Sequence, residues 1–330
     1  MNILFIGGTG IISSACVRRA VEKGFRLTLL NRGKTERSLP DGVENLRGDI
    51  SDEQAVEALL KNRSFDAVVD WIAFTPDHVT RDIRLFSGKT KQYVFISSAS
   101  AYQTPPSSLP VTESTLLCNP YWKYSQEKIA CEDLLIHAYR ENGFPVTIVR
   151  PSHTYDERSL PFHYGYTVVD RMRRGKKSLI HGDGTSLWTL THHKDFAVGL
   201  AGLLANPQAV GEIFHITSDE SLTWNQIYQI IADAAGATLN PVHIPSDLWA
   251  AYDEEYGPNL LGDKSHCMIF DNSKIKRFVP EFNCIIPFYQ GAREIIAWYD
   301  AHPEAKKVDK KVDRLLDTIM DNYQKAWPKR

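Results

Sequence analysis

Gly7-Gly8-Thr9-Gly10-Ile11-Ile12-Ser13 follows an apolar run at residues 3–6 and opens a segment of helical spacing over 11–23. The reading of this stretch decides the fold. Gly7, Gly10 and Ser13 occupy the three marked positions of a G-x-x-G-x-x-G turn between a first strand and a first helix. Glycine lets the chain turn tightly and approach a pyrophosphate, whose charge then rests on the N–H groups at the helix start. Gly7, Thr9, Gly10, Ile11 and Ile12 are therefore candidate contacts for a dinucleotide. Ser13 replaces a third glycine that usually permits close helix–sheet packing, and serine is small enough to make this a mild departure.

Working outward, apolar runs at 26–30, 45–47, 67–72, 92–97 and 146–150 predict five more strands, with helices over 53–60 and 124–142. Continuous apolar strands separated by helices imply a parallel sheet covered on both faces, a doubly wound α/β layout. Beyond Pro151 the alternation loosens into polar, His-rich and Gly-rich stretches, with helices near 196–204 and 225–235 and a further strand at 214–216. The expected division is a dinucleotide-binding domain over 1–150. Residues 151–330 then return the last strands to the sheet and build a smaller substrate-binding lobe. The charged stretch 303–330 reads as a solvated terminal helix.

The whole chain sets few limits. Its 330 residues allow a large core, and 43% hydrophobic with 24% charged residues is ordinary for a globular protein. A formal net charge of -2 gives no reason to expect a nucleic acid partner. The five cysteines are scattered, with no CxxC, as expected of reduced thiols. No run is long enough for a membrane span, and the start runs straight into glycines without the shape of a signal peptide. A cytoplasmic location is the expectation.

The end of the second strand bears on the choice of cofactor. An acidic residue there would accept from the adenosine 2′-hydroxyl, but Asn31-Arg32-Gly33-Lys34 stands in its place. Arg32 can stack on adenine and contact a 2′-phosphate, with Lys34 adding charge, which favours NADP(H). NAD(H) is the alternative, because Arg32 can also stack on its adenine. Asp49, with Ile50 after it, ends the third strand and is placed to accept from the adenine amino group.

Tyr124 and Lys128 stand four apart at the start of a predicted helix and share a face. A lysine beside a tyrosine favours phenolate, so Tyr124 is a candidate general base acting on an alcohol. Ser98 lies at the end of the fifth strand, where ligands bind in such sheets, with a hydroxyl to orient the substrate oxygen. His153 and Tyr155, after the sixth strand, are candidates for the nicotinamide pocket wall. His192, His193 and Asp195 are not read as a metal site, because adjacent histidines face different ways and no third ligand has suitable spacing. Arg171, Arg173, Arg174, Lys176 and Lys177 form a basic cluster, read as a solvated face with phosphate binding as the competitor.

Together these residues resemble the extended, atypical short-chain dehydrogenase/reductases, the NAD(P)-dependent sugar epimerase/dehydratase family. The resemblance extends through Gly48-Asp49-Ile50, Arg150-Pro151-Ser152-His153-Thr154-Tyr155, Gly182-Asp183-Gly184 to His192-His193-Lys194-Asp195, residues 214–219 and Asp271-Asn272-Ser273-Lys274. It implies a Rossmann-type fold. It also implies Tyr124 as base, Lys128 as its modulator and ribose ligand, Ser98 as the substrate-orienting hydroxyl, and Pro151 beside the nicotinamide. Tyr102 is read as structural. Relatives often dimerise through the helix bearing Tyr124, so a homodimer is an expectation.

Three departures narrow the function. Ala99-Ser100 stands where the dehydratase branch carries its Asp-Glu pair. Trp71 and Phe74 crowd a strand end that in the family is followed by small residues. Trp188 lies where an arginine often helps hold a sugar-nucleotide diphosphate. The expected activity is an NAD(P)-dependent epimerase or oxidoreductase acting on a secondary alcohol of a sugar or sugar-like small molecule. The alternative is a non-catalytic dinucleotide-sensing or RNA-associated protein on the same fold.

Overall fold

The computed structural model describes residues 1–33 and 37–328. Its frame is a seven-stranded parallel sheet in the order β11-β6-β5-β4-β1-β2-β3. The first half supplies β1 (Asn2–Ile6), α1 (Ile11–Glu22), β2 (Arg26–Asn31), β3 (Glu44–Arg47), α2 (Glu53–Leu59), β4 (Ala67–Asp70), α3 (Pro76–Phe86), β5 (Tyr93–Ile96), α4 (Lys123–Asn142) and β6 (Val146–Pro151). The second half adds β7 (His153–Tyr155), α5 (Tyr166–Arg173), β8 (Ser178–His181), β9 (Leu187–Trp188), β10 (Leu190–His192), α6 (His193–Leu203), β11 (Ile213–Ile216), β12 (Leu222–Thr223), α7 (Trp224–Ala234) and β13 (Pro241–Ile244).

Both faces of the sheet are dry, and this is why its strands read as unbroken apolar runs. Ile3, Phe5, Val69 and Val94 face Ala15, Cys16 and Val17 of α1 and Phe196 and Leu200 of α6. Leu4, Ile6, Val68 and Phe95 face Val79 and Phe86 of α3 and Cys131 and Leu135 of α4. The second half thus gives the sheet both an edge strand, β11, and a covering helix, α6.

Helix α3 is absent from the sequence reading. Pro76 sits at its first turn, where a missing N–H costs nothing, so the helix starts cleanly. Its inward face breaks the apolar pattern, because Arg81 and Asp82 are buried with it. Arg81 Nε donates to Asp82 Oδ1 at 2.9 Å, Arg81 reaches Asp70 of β4 at 3.4 Å, and Tyr93 Oη donates to Asp82 Oδ2 at 2.6 Å. A charged network takes the place of hydrocarbon there, and periodicity alone does not reveal it.

The rest of the chain forms a lobe of three two-stranded ribbons (β7–β10, β9–β12, β8–β13) and helices around Trp188, Trp224, Ile227 and Phe288. The terminal stretch folds as a helix over Lys310–Lys325, and the basic cluster holds it. Arg171 bonds Asp313 and Asp317 at 2.5 and 2.7 Å, Lys176 reaches Asp317 at 2.7 Å, and Lys177 donates to Gln324 at 2.7 Å. Arg173 pairs with Asp300 at 2.7 Å. Arg171, Lys176 and Lys177 thus hold the terminal helix against α5 and the turn after it, while Arg173 ties α5 to the helix over Phe288–Ala301. All five cysteines are free thiols. Among the described residues no helix is long and apolar enough to cross a membrane.

Candidate active site

A groove of about 500 Å³ runs along the carboxyl ends of the central strands. Gly7, Thr9, Gly10, Ile11 and Ile12 form its floor, Asn31, Arg32 and Ile50 one end, and Tyr124, Lys128 and Pro151 the other. The turn needs glycine for physical reasons. Gly7 and Gly8 have φ of +93° and +134°, and a Cβ on Gly8 would lie 3.0 Å from Leu29 Cδ2. The first-turn N–H groups of α1 have no intrahelical acceptors, so they face the groove as anion donors. Ser13 acquires a role here: its Oγ accepts from Gly10 N at 2.8 Å and stiffens the turn.

The walls are also suited to a flat aromatic ligand. Trp71 and Phe74 line the groove, and the buried Trp71 Nε1 has no hydrogen-bond partner. Arg37, which the sequence reading passed over, joins them. Its guanidinium donates to Gly10 O at 3.3 Å and pairs with Asp156 at 2.7 Å. Asp49 is not part of the lining; its Oδ1 accepts from Ser51 N and Oγ at 3.1 and 2.8 Å, and Arg32 lies 3.9 Å away. Lys34 lies outside the described residues.

A second cavity of about 310 Å³ opens beside the first and shares Ile12, Ser97, Tyr124, Pro151 and Thr154 with it. Ser98, Ser152, His153, Thr189 and Asp263 bring polar atoms to it, and Trp122, Trp188, Met268 and Phe270 bring apolar surface. Tyr124 therefore belongs to both spaces, Lys128 to the groove and Ser98 to the cavity. His153 lines the cavity and not the groove, while Tyr155 lines neither. Tyr102 is fully buried, bonded to His215 Nδ1 at 3.0 Å beneath Arg150, a structural position.

Three serines set the direction of the Ser98 hydroxyl. Ser125 Oγ donates to Ser100 Oγ at 2.8 Å, and Ser100 and Ser98 hydroxyls lie 2.8 Å apart. When Ser100 donates its proton to Ser98, the Ser98 proton is free to point to a ligand in the cavity or to the Tyr124 oxygen. The Ala99-Ser100 pair thus supplies one link of a hydroxyl chain.

Lys128 is held from two sides by backbone. Its ammonium is buried and donates to Ala73 O and Ile96 O, each at 2.7 Å, below the rings of Phe74 and Phe95. Burial pulls its pKa down to about 8, with Cys131 and Asp70 opposing. Burial likewise pushes the Tyr124 phenol up to about 12; the Ser98 hydroxyl beside it works the other way and Asp263 adds to the rise. Desolvation is the largest of these effects, and it favours the protonated phenol. His153 is pushed down to about 3 by burial and by Lys264, which leaves a neutral imidazole in the cavity wall.

The NAD dependent epimerase/dehydratase family model matches residues 3–217. A 2′-dehydrokanamycin reductase of Streptomyces kanamyceticus is 27% identical over 287 residues, 86% of this chain and 80% of that protein. A chloroplast stem-loop binding protein of 41 kDa from Arabidopsis thaliana is 27% identical over 251 residues, 71% of this chain and 63% of that protein. Among solved structures, a dTDP-glucose 4,6-dehydratase of Bacillus anthracis in complex with NAD superposes with a TM-score of 0.73 at 21% identity, covering 92% of this chain and 98% of its own. With about two thirds of its length matched by the family model, the chain belongs to the NAD dependent epimerase/dehydratase family.

Proposed function

We propose that this protein is an NAD(P)-dependent oxidoreductase or epimerase acting at a secondary alcohol, or the corresponding ketone, of a sugar-like substrate. One observation carries the reading: Tyr124 lies where the two cavities meet, with Lys128 on the groove side and Ser98 on the other. The dinucleotide, when bound, supplies a hydride donor or acceptor at its nicotinamide. Gly7, Thr9, Gly10, Ile11 and Ile12 would hold its pyrophosphate, Arg32 its adenosine end, and Lys128 and Pro151 the nicotinamide end.

The residues then act on the substrate oxygen. Ser98 donates a hydrogen bond to it and fixes its position. Tyr124, protonated at neutral pH, delivers its proton to that oxygen as the carbon is reduced, and the resulting phenolate sits near the Lys128 ammonium. Run backwards, the phenolate takes the proton from the alcohol. A resting phenol favours the reductive direction, which accords with the named activity of the Streptomyces relative.

The cavity argues against a nucleotide diphosphate in this site. Among the described residues no arginine or lysine lines it, and Asp263 is the one carboxylate in its walls. A neutral or amine-bearing sugar ring between Trp122, Trp188 and Phe270 is the better match.

Replacing Tyr124 with Phe should lower turnover by about 10²–10⁴-fold and leave dinucleotide affinity within about threefold. Unchanged turnover would remove the mechanism and leave dinucleotide sensing as the reading. For the cofactor, NADPH should bind more tightly than NADH, and Arg32→Ala should erase that difference. Equal wild-type affinities would reassign the protein to NAD(H).

A further inference from the structure

Beyond the glycine turn, the β7–α5 connection and the start of α6 bring Asp156, Glu157 and His193 together, with one ligand atom from each within 4.8 Å of the others. Asp156 and His193 are fully buried, and Glu157 is half-buried. His193 Nδ1 lies 3.2 Å from Ile11 O. A carbonyl only accepts, so Nδ1 carries the proton, and in the neutral ring Nε2 presents a lone pair. That Nε2 is buried, has no hydrogen-bond partner, and lies 3.7 Å from Glu157 Oε2. Three acceptors thus face one another, two of them buried and the third, Glu157, open to solvent on one side.

Of the three, Arg37 reaches only Asp156, so among the described residues the lone pair of His193 Nε2 and the facing Glu157 carboxylate have no donor between them, and a cation there would satisfy both. Ligands about 2.0–2.1 Å from a tetrahedral ion lie roughly 3.4 Å apart, so the three atoms, now within 4.8 Å of one another, would close slightly on an ion. The surrounding groups orient the carboxylates. Asp156 Oδ1 accepts from Arg158 N at 3.0 Å and Ser159 Oγ at 2.6 Å, and Arg37 pairs with Oδ2 at 2.7 Å. Arg158 lies 3.8 Å from Glu157 Oε1. The Ile11 carbonyl orients the imidazole as a second-shell acceptor does in known sites.

We propose that Asp156, Glu157 and His193 bind a divalent ion of the zinc type, which ties the lobe to the start of α1. The ligands come from sequence positions far apart, which is why inspection of His192, His193 and Asp195 gave no metal site. In the structure His192 faces Glu294 at 3.2 Å and Asp195 accepts from Ile286 N at 3.1 Å, so neither takes part.

The test uses the full chain freed of metal by chelation, with zinc alone as calorimetric probe and cobalt(II) for its visible absorption. Wild type should take up one equivalent, with a rise in thermal midpoint that depends on zinc concentration. Glu157→Gln, at a half-exposed position that leaves the core intact, should weaken zinc binding roughly tenfold or more, and His193→Gln should abolish it. Should His193→Gln fail to fold, Glu157→Gln decides. No uptake by wild type at about 100 μM zinc, or equal affinity in Glu157→Gln, would overturn the site.

Discussion

The cofactor groove is floored by backbone from one continuous turn and by strand ends of one sheet, whereas the adjoining cavity is walled by side chains from at least four separated segments. Trp122, His153, Trp188 and Asp263 with Phe270 arrive there from the entry to α4, β7, β9 and the region beyond residue 260. The first space depends on φ angles and N–H groups, which only glycine and a helix start can provide. The second depends on which side chains happen to converge. The proposed dinucleotide accounts for the first design, and the proposed substrate, recognised by its own side-chain contacts, for the second.

That contrast can be broken most directly at Lys128, the groove-side partner of Tyr124. Lys128→Met should lower turnover about 10³-fold and also weaken dinucleotide binding about tenfold. A variant that loses turnover with cofactor affinity intact would move Lys128 out of the groove's function. The pH profile gives a second reading of the same group. With Lys128 near 8 and Tyr124 near 12, reduction should hold level up to about pH 8 and then fall, because loss of the ammonium withdraws the charge that stabilises the phenolate. A profile level to pH 10 would contradict it.

Acid should separate the two regions next. Three histidines on the lobe's ribbons, His153, His181 and His192, are pushed down by burial to about 3, 4 and 3. The folded lobe refuses protons that the unfolded chain accepts near pH 6.5. Stability is therefore complete above that pH and is lost as pH falls toward 4, by about 2–3 kcal/mol for each such group. Hydrogen exchange at pH 4.5 should show the lobe opening before the sheet; uniform protection would refute the difference.

Ser100→Ala should give the smallest effect, a roughly tenfold loss of turnover with unchanged cofactor affinity, since it removes only the link that aims the Ser98 proton. Turnover equal to wild type would show that the hydroxyl chain does not direct Ser98.

The parts legible in the sequence share a property: each is local. The glycine turn, the apolar strands and the Tyr124/Lys128 spacing are set by backbone geometry within a few residues, and the structure places them in one groove. Helix α3 was missed because Arg81 and Asp82 sit on its buried face, paired with Asp70 and Tyr93 from neighbouring strands. The basic cluster misled because its acidic partners lie about 140 residues away, on the terminal helix. Arg37 carried no motif at all; it matters through Asp156, brought to it by the crossing from β6 into the lobe.

Sequence by itself therefore determined the doubly wound sheet and the glycine turn, and it singled out Tyr124, Lys128 and Ser98 as candidates, because short-range sterics and periodicity govern them. Only the tertiary structure decided how deeply those three side chains are buried and which side chains line the cavity. Desolvation of Tyr124 and Lys128 depends on how much of the chain closes over them. Likewise the grouping of Asp156, Glu157 and His193 exists only once β7 and α6 meet beside α1, since facing acceptors acquire meaning when burial removes water from between them.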